Sequence, residues 1–459
     1  MREGERGANS RSARGFAALF TCRGISAPGR PSLRRFHLAP MHIVIVGNGI
    51  AGVTAARVVR KRRPDWRITL VSEEHPEHLA RTAWMYVYMG HLTLEQTRPY
   101  APDFWERNRI ERLHDRAESL DADRQRLALR SGRTLTYGRL LVATGSVPAF
   151  YGWPGQDLAG VQGLYHLQDL ERMERETAGI ERAAVVGGGL IGVELAEMLR
   201  TRGVAVTYLV REGRYFAHAM PERESRLIEE EIRRHGVDLR LQTEPEAFLG
   251  SGRVEGVRTT AGDTIPAEWV GLGTGVRPNV GWLEGSGIET ARGVLVDHHL
   301  RTSAANVWAA GDCAEHREPL PGRAPVEALW YTGRIQGATA GYALADEARP
   351  YVPGVFYNSA KFFDLEWQVV GSIAPESDPG RNEALAEDRT RTGARLVRLQ
   401  GDAESGRLLG IHALGARLRH EVCAEWIVSR RSLDDCLRDL PRAGFDPEFS
   451  RAMPTPTLA

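Results

Sequence analysis

Two glycine-rich turns of the same design, with first glycines at Gly47 and Gly187, constrain this chain more than any other feature. The apolar run 43–46 leads into Gly47-Asn48-Gly49-Ile50-Ala51-Gly52, and 183–186 leads into Gly187-Gly188-Gly189-Leu190-Ile191-Gly192. A strand-length apolar run that opens through G-x-G-x-x-G into a helical pattern gives that spacing a mechanism. The first glycine makes the tight turn, the second lets a pyrophosphate reach the backbone, and the third brings helix and strand close. The phosphate then meets unpaired N–H groups at the positive end of the helix dipole. One such turn is weak evidence. Two in one chain imply two dinucleotides held together, with electrons able to pass between them.

The 459 residues leave room for roughly two to four domains with ample core. A net charge of +1 gives no basic surface for nucleic acid or an anionic membrane, so neither is an expected partner. No apolar run reaches about 18 residues, so no membrane-spanning helix is expected. Cys22, Cys313, Cys423 and Cys436 are scattered, without C-x-x-C spacing, which argues against a metal site, an iron–sulfur cluster or a disulfide framework. That usage fits a reducing cytosol, and a cytoplasmic location is expected.

Residues 1–40 differ from the rest, with eight arginines against Glu3 and Glu5. They read either as an Arg- and Ser-rich transit peptide or as an extension upstream of a start at Met41, which directly precedes the first strand. On both readings the segment is expected to be disordered and outside the fold.

From Met41 the pattern predicts a strand, a helix over 50–62 and a second strand over 67–71, ending in Ser72-Glu73-Glu74. An acidic side chain about 20 residues beyond the first glycine is where a ribose hydroxyl binds, and Glu73, with Glu74 as the alternative, holds that place. A hairpin is expected around Ser131-Gly132, then a buried strand through Leu140-Leu141-Val142. The second nucleotide unit continues through a helix near 221–235 and strands around Leu239, Val254 and 269–272. Strands at 293–296, 307–310, 367–371 and 408–413 and a helix over 420–430 complete the expectation.

These segments, in this order, resemble the FAD-dependent pyridine nucleotide-disulfide oxidoreductases, nearest their ferredoxin and rubredoxin reductase branch. Besides the glycine turns, Leu141-Val142-Ala143-Thr144-Gly145 resembles the strand that links the two nucleotide domains. Gly271-Leu272-Gly273-Thr274-Gly275 resembles its counterpart at the return crossing, and the run ending Ala310-Gly311-Asp312-Cys313-Ala314 is the most specific. The resemblance implies an α/β chain with two Rossmann-like domains and a small α+β C-terminal domain. It implies an FAD-binding domain in two parts (41–155 and 272–350), an inserted NAD(P)-binding domain (156–271) and an interface domain (351–459). It also implies that Gly47, Gly49, Gly52, Arg81, Thr144 and Gly145 hold FAD, that Asp312 bonds its ribityl chain, and that Glu327 opens a helix aimed at the flavin. Gly187, Gly189, Gly192, Gly273 and Gly275 are then expected at the NAD(P)H.

Within the second unit, Val210 stands where a NAD-preferring relative usually has Glu, and Arg211 and Arg214 follow. Loss of the carboxylate beside an arginine suits a 2′-phosphate and leans to NADPH, while Glu212 remains able to take a ribose hydroxyl. Glu194 matches a family Glu near the contact between nicotinamide and flavin. The lysine that often pairs with it is missing from the first domain, so Lys361 is expected to approach the flavin or Glu194. Disulfide-reducing relatives need paired cysteines, and none exist here. The expected function is transfer of hydride from NAD(P)H to FAD and of electrons to a small ferredoxin- or rubredoxin-type carrier, with a homodimer among the expected assemblies. Two alternatives remain: a quinone reductase, which the short C-terminal stretch 432–440 and 447–449 suits poorly, and a redox-sensing binding protein like apoptosis-inducing-factor relatives.

Overall fold

The computed structural model describes residues 41–390, 393–445 and 453–458. The 1–40 segment and the 447–449 stretch lie outside the described residues. The strand His42–Val46 passes through the glycine turn into helix α1 (Ile50–Arg62) and then the strand Arg67–Ser72. Ile43, Val44, Ile45 and Val46 are all buried, as a parallel sheet covered on both faces requires. The five parallel strands run in the order Val307–Ala309, Arg139–Val142, His42–Val46, Arg67–Ser72 and Ile110–His114. The outermost of them comes from far beyond the others in sequence. The chain therefore leaves this sheet after Val142 and returns to it at Val307.

Between those points lies a second sheet of the same plan. Helix α2 (Leu167–Glu176) precedes the strand Arg182–Val186, α3 (Leu190–Thr201), the strand Ala205–Leu209 and α4 (Glu222–Arg234). Its parallel order is Asp238–Arg240, Ala205–Leu209, Arg182–Val186, Trp269–Leu272 and Val161–Gln162. Each parallel sheet has a three-stranded antiparallel companion, Ala117–Asp121 to Thr134–Thr136 in the first unit and Pro245–Leu249 to Thr264–Pro266 in the second.

After the return, α5 (Trp330–Leu344) packs on α1 through small residues. A Cβ on Gly337 would strike the Ala51 backbone, and one on Gly341 would meet Ala55 Cα at 3.0 Å. The remaining chain forms an antiparallel sheet in the order Tyr357–Phe362, Leu365–Gly371, Leu408–Leu414, Gly393–Asp402, Arg381–Thr390 and Thr457–Leu458. Helix α6 (His420–Val428) covers one face with Trp426, while Trp367 and Leu396 on the other join the core of the second nucleotide unit. The fold is thus α/β with two parallel-sheet units and an α+β C-terminal part.

Differences from the sequence expectation are local. Val254 precedes its strand, Gly256–Thr259, and the helix expected over 420–430 stops at Val428, with Arg430 at a positive φ of 57°. Part of the expected C-terminal stretch is a helix, Leu433–Arg438, capped by the Ser432 side chain. The long hairpin Arg381–Thr390 and Gly393–Asp402 had not been foreseen, because Glu383 and Arg398 pair across it and blur the apolar alternation. Among the described residues no helix is long and apolar enough to cross a membrane.

Candidate functional site

A cleft of about 1830 Å³ runs from the first glycine turn past the start of α3 to the C-terminal sheet. It exceeds the roughly 300–1,000 Å³ common for small-molecule sites. The glycines of the first turn divide their work by position. Gly47, at φ 109°, lies so close to Ala143 O that a Cβ would clash, and a Cβ on Gly52 would strike Gly47 O. Gly49 meets nothing within 4 Å and opens onto the cleft. It caps α1 without a side-chain bond, and no acid stands in the first turn, so the positive helix end is unneutralised.

Asp312 sits deep in this cleft. Its Oδ2 accepts from Tyr165 Oη at 3.1 Å and from Ser146 Oγ at 3.2 Å. Burial raises its carboxyl above the usual range, against those bonds and the charge of Arg81. The Arg81 guanidinium lies 4.9 Å from the Tyr165 ring centre and is paired with Glu74. Glu74 also accepts from the Leu167 backbone N–H at 2.9 Å, at the start of α2. That leaves Glu73 as the more open acid on the cleft wall, facing Arg116 at 3.5 Å and Arg130 at 3.9 Å. Thr144 and Gly145 also line the cleft; Thr144 Oγ1 donates to Asn279 O at 2.7 Å, tying the two crossing strands' ends together.

Glu327 is a correction. It precedes α5 instead of opening it, and its carboxylate turns inward to Tyr351 Oη at 2.6 Å and Arg323 at 3.1 Å. Leu329 and Trp330, at the helix start, line the cleft in its place.

The second turn repeats the packing of the first. Gly187, at φ 114°, abuts Gly273 O, a Cβ on Gly192 would strike Gly187 O, and Gly189 opens to free space. Tyr208 Oη donates to Gly187 O at 2.9 Å and Tyr215 Oη to Gly189 O at 3.0 Å, so the turn's carbonyls are held inward. Of the second turn and α3, Leu190, Ile191 and Glu194 line the cleft, whereas Gly187, Gly189 and Gly192 do not, nor do Gly273, Gly275 and Arg211. Arg211 is exposed and donates to Glu212 Oε1 at 2.9 Å. Arg214 does not join it. Its guanidinium is bonded to Met220 O and Ala217 O and paired with Glu376.

Glu194 and Lys361 both line the cleft, but the ammonium of Lys361 bonds Glu197 Oε1 at 2.6 Å, not Glu194. Burial, and then the charge of Glu197, push the Glu194 carboxyl up to about 7. Sequence reasoning missed Glu197, although its i, i+3 spacing from Glu194 was visible. It also missed Tyr165 and Ser146, for which no sequence pattern gives a signal. Cys313 is fully buried, its Sγ facing Ala310 O at 3.4 Å and Val142 O at 3.5 Å, and none of the three described cysteines lines the cleft.

Comparison with known proteins agrees with this geometry. A family model described as pyridine nucleotide-disulphide oxidoreductase matches residues 41–343. The chain is 27% identical over 401 residues to a nitrite reductase [NAD(P)H] of Bacillus subtilis, a match that covers 87% of this chain but only 49% of that protein. It is 31% identical to the CoA-dependent NAD(P)H sulfur oxidoreductase of Pyrococcus abyssi, over 82% of this chain and 87% of that one. Among solved structures, the ferredoxin reductase for the CYP199A2 system of Rhodopseudomonas palustris matches with a TM-score of 0.73 at 25% identity, covering 82% of this chain and 91% of that chain.

Proposed function

The chain belongs to the pyridine nucleotide-disulphide oxidoreductase family, and from that premise we propose that it carries electrons from a reduced nicotinamide to a small ferredoxin- or rubredoxin-type protein. It is an FAD-dependent NAD(P)H oxidoreductase. The observation that carries the choice of acceptor is the thiol-free cleft, since none of the described cysteines reaches it and Cys313 is turned into backbone. A disulfide relay has no residues there, which favours an outward acceptor.

The cleft suits the cofactor. The open space at Gly49, the unneutralised end of α1 and the buried carboxylate of Asp312 form the cradle a pyrophosphate and a polyol chain need. Bound FAD would supply the link between two-electron and one-electron chemistry. In this reading Gly47, Gly49 and Gly52 shape the pyrophosphate turn, Arg81, Thr144 and Gly145 bound the cleft, and Asp312 accepts ribityl hydroxyls. Glu73 takes the adenosine ribose. Gly187, Gly189, Gly192, Gly273 and Gly275 form the second turn for NAD(P)H, and Arg211 stands at its adenosine end. Glu194 and Lys361 face the place where nicotinamide and flavin meet.

The test is anaerobic mixing of the flavin-loaded protein with NADH or NADPH, then with oxidised ferredoxin or rubredoxin. Rapid bleaching followed by carrier reduction is expected. Bleaching without reduction of either carrier would overturn the choice of acceptor, and no bleaching would overturn the half-reaction.

A further inference from the structure

Glu194 and Glu197 lie on one face of α3, three residues apart, where Cβ atoms are about 5–6 Å from each other. Lys361 holds one oxygen of Glu197 at 2.6 Å, while the other, Oε2, is buried without a hydrogen-bond partner among the described residues. The ionisable groups around Glu194 are Glu197 on its own helix, Lys361 on the facing strand and the Tyr215 hydroxyl below. Glu366, the other acid near Lys361, is held by Arg417. The one ammonium is thus bonded to Glu197, no cation pairs with Glu194 among the described residues, and a second carboxylate beside the first ionises at a cost.

Building on the proposed outward electron transfer, we propose that Glu194, beside the Glu197–Lys361 ion pair, serves as the proton acceptor of the cleft. A hydride carries two electrons and one proton. Two successive one-electron transfers to carrier molecules remove both electrons and leave the proton behind. The Glu194 carboxylate takes it, forming an O–H bond, and no carbon bond forms or breaks at this residue. The Glu197 charge beside it favours the proton on Glu194, and Lys361, bonded to Glu197, offsets that charge. Lys361 is partly exposed, so the pair borders solvent where the proton leaves. Glu197 and Lys361 are positioning residues for Glu194.

Flavin-loaded protein turning over NADH or NADPH with ferricyanide, a one-electron acceptor that is not a protein, tests this. The pH profile is expected to show an inflection near neutrality. Glu194→Gln should abolish it, Glu197→Gln should move it to lower pH, and Lys361→Met should move it to higher pH. The infrared difference spectrum between oxidised and reduced protein should carry a deuterium-sensitive carboxyl band that Glu194→Gln removes. An inflection unchanged in Glu194→Gln, or no such band, would overturn the proposal. Should Glu194→Gln lose flavin, the shift in Glu197→Gln decides by the same criterion. If ferricyanide turnover shows these pH effects but neither carrier is reduced, the carrier assignment fails and the proton acceptor stands.

Discussion

At the level of single side chains, the arrangement around the second turn bears on nucleotide choice. Val210 is buried against Gly188, so the ribose carboxylate cannot come from the strand end itself. The Oε2 of Glu212 lies 3.6 Å from where a Gly188 Cβ would stand, and Glu212 also binds Arg211. Arg214 is committed elsewhere, so the case for NADPH rests on Arg211 alone. Removing Glu212 frees that arginine for a 2′-phosphate. Glu212→Ala is expected to raise the kcat/KM ratio of NADPH over NADH by about tenfold, equivalent to about 1.4 kcal/mol, and steady-state kinetics with both nucleotides check it. Cys313 offers a second test. Burial raises its thiol and its sulfur faces backbone, so Cys313→Ser or treatment with a thiol-alkylating reagent should leave the rate of flavin bleaching unchanged.

At the level of the turn and its helix, the glycines separate packing from binding. A methyl at Gly49 or Gly189 meets open space, whereas one at Gly52 or Gly192 meets backbone. Gly49→Ala should therefore keep the thermal midpoint of the flavin-free protein while lowering flavin content, because the added methyl stands where the pyrophosphate approaches. Gly52→Ala should lower both, costing about 1–3 kcal/mol as overpacking does. Thermal denaturation beside the flavin-to-protein absorbance ratio distinguishes the pair. The sequence periodicity placed α1, Ile50–Arg62, at the bounds the structure gives, because strand, turn and helix are consecutive and their bonds are local. The two strands of the Arg381–Asp402 hairpin escaped it, since their charged residues are satisfied by groups distant in sequence, such as Glu224 on α4.

Across the whole molecule, that same Glu224 joins the second nucleotide unit to the C-terminal sheet. It is fully buried, takes two bonds from Arg398 at 2.6 and 2.9 Å, and accepts from His412 Nδ1 at 3.2 Å. The Trp367 indole N–H donates to His412 Nε2, which leaves Nδ1 to carry the hydrogen given to Glu224. Burial alone would raise the Glu224 carboxyl, but the bonds from His412 and Arg398 outweigh it and lower it from 4.5 to about 2. A depressed carboxylate contributes stability above its unfolded value, and loses it as pH falls toward the folded one. Between about pH 4.5 and 2 the stability should fall by about 3 kcal/mol from this group. Glu224→Gln should flatten that part of a chemical-denaturation series against pH. Arg398→Met alone strands a buried charge and should cost about 3–5 kcal/mol, more than the double variant with Glu224→Gln.

Legible in the sequence alone were both glycine turns, the helices they open, the strands that feed them and the Gly311-Asp312 crossing. Each rests on a local steric demand, a positive φ or a close backbone approach, that only certain residues meet, so it is written in residue type and spacing. Tertiary structure alone decided which charged groups face one another. It gave Lys361 to Glu197, Glu74 to Arg81, Arg214 to Glu376 and Glu327 to Tyr351. Lys361–Glu197 and Arg214–Glu376 join the second nucleotide unit to the C-terminal part, and Glu74–Arg81 and Glu327–Tyr351 close local loops, so each partner was chosen by how the chain packs. Side-chain charge looks the same at every position in a sequence. Only the fold gives each one its neighbour.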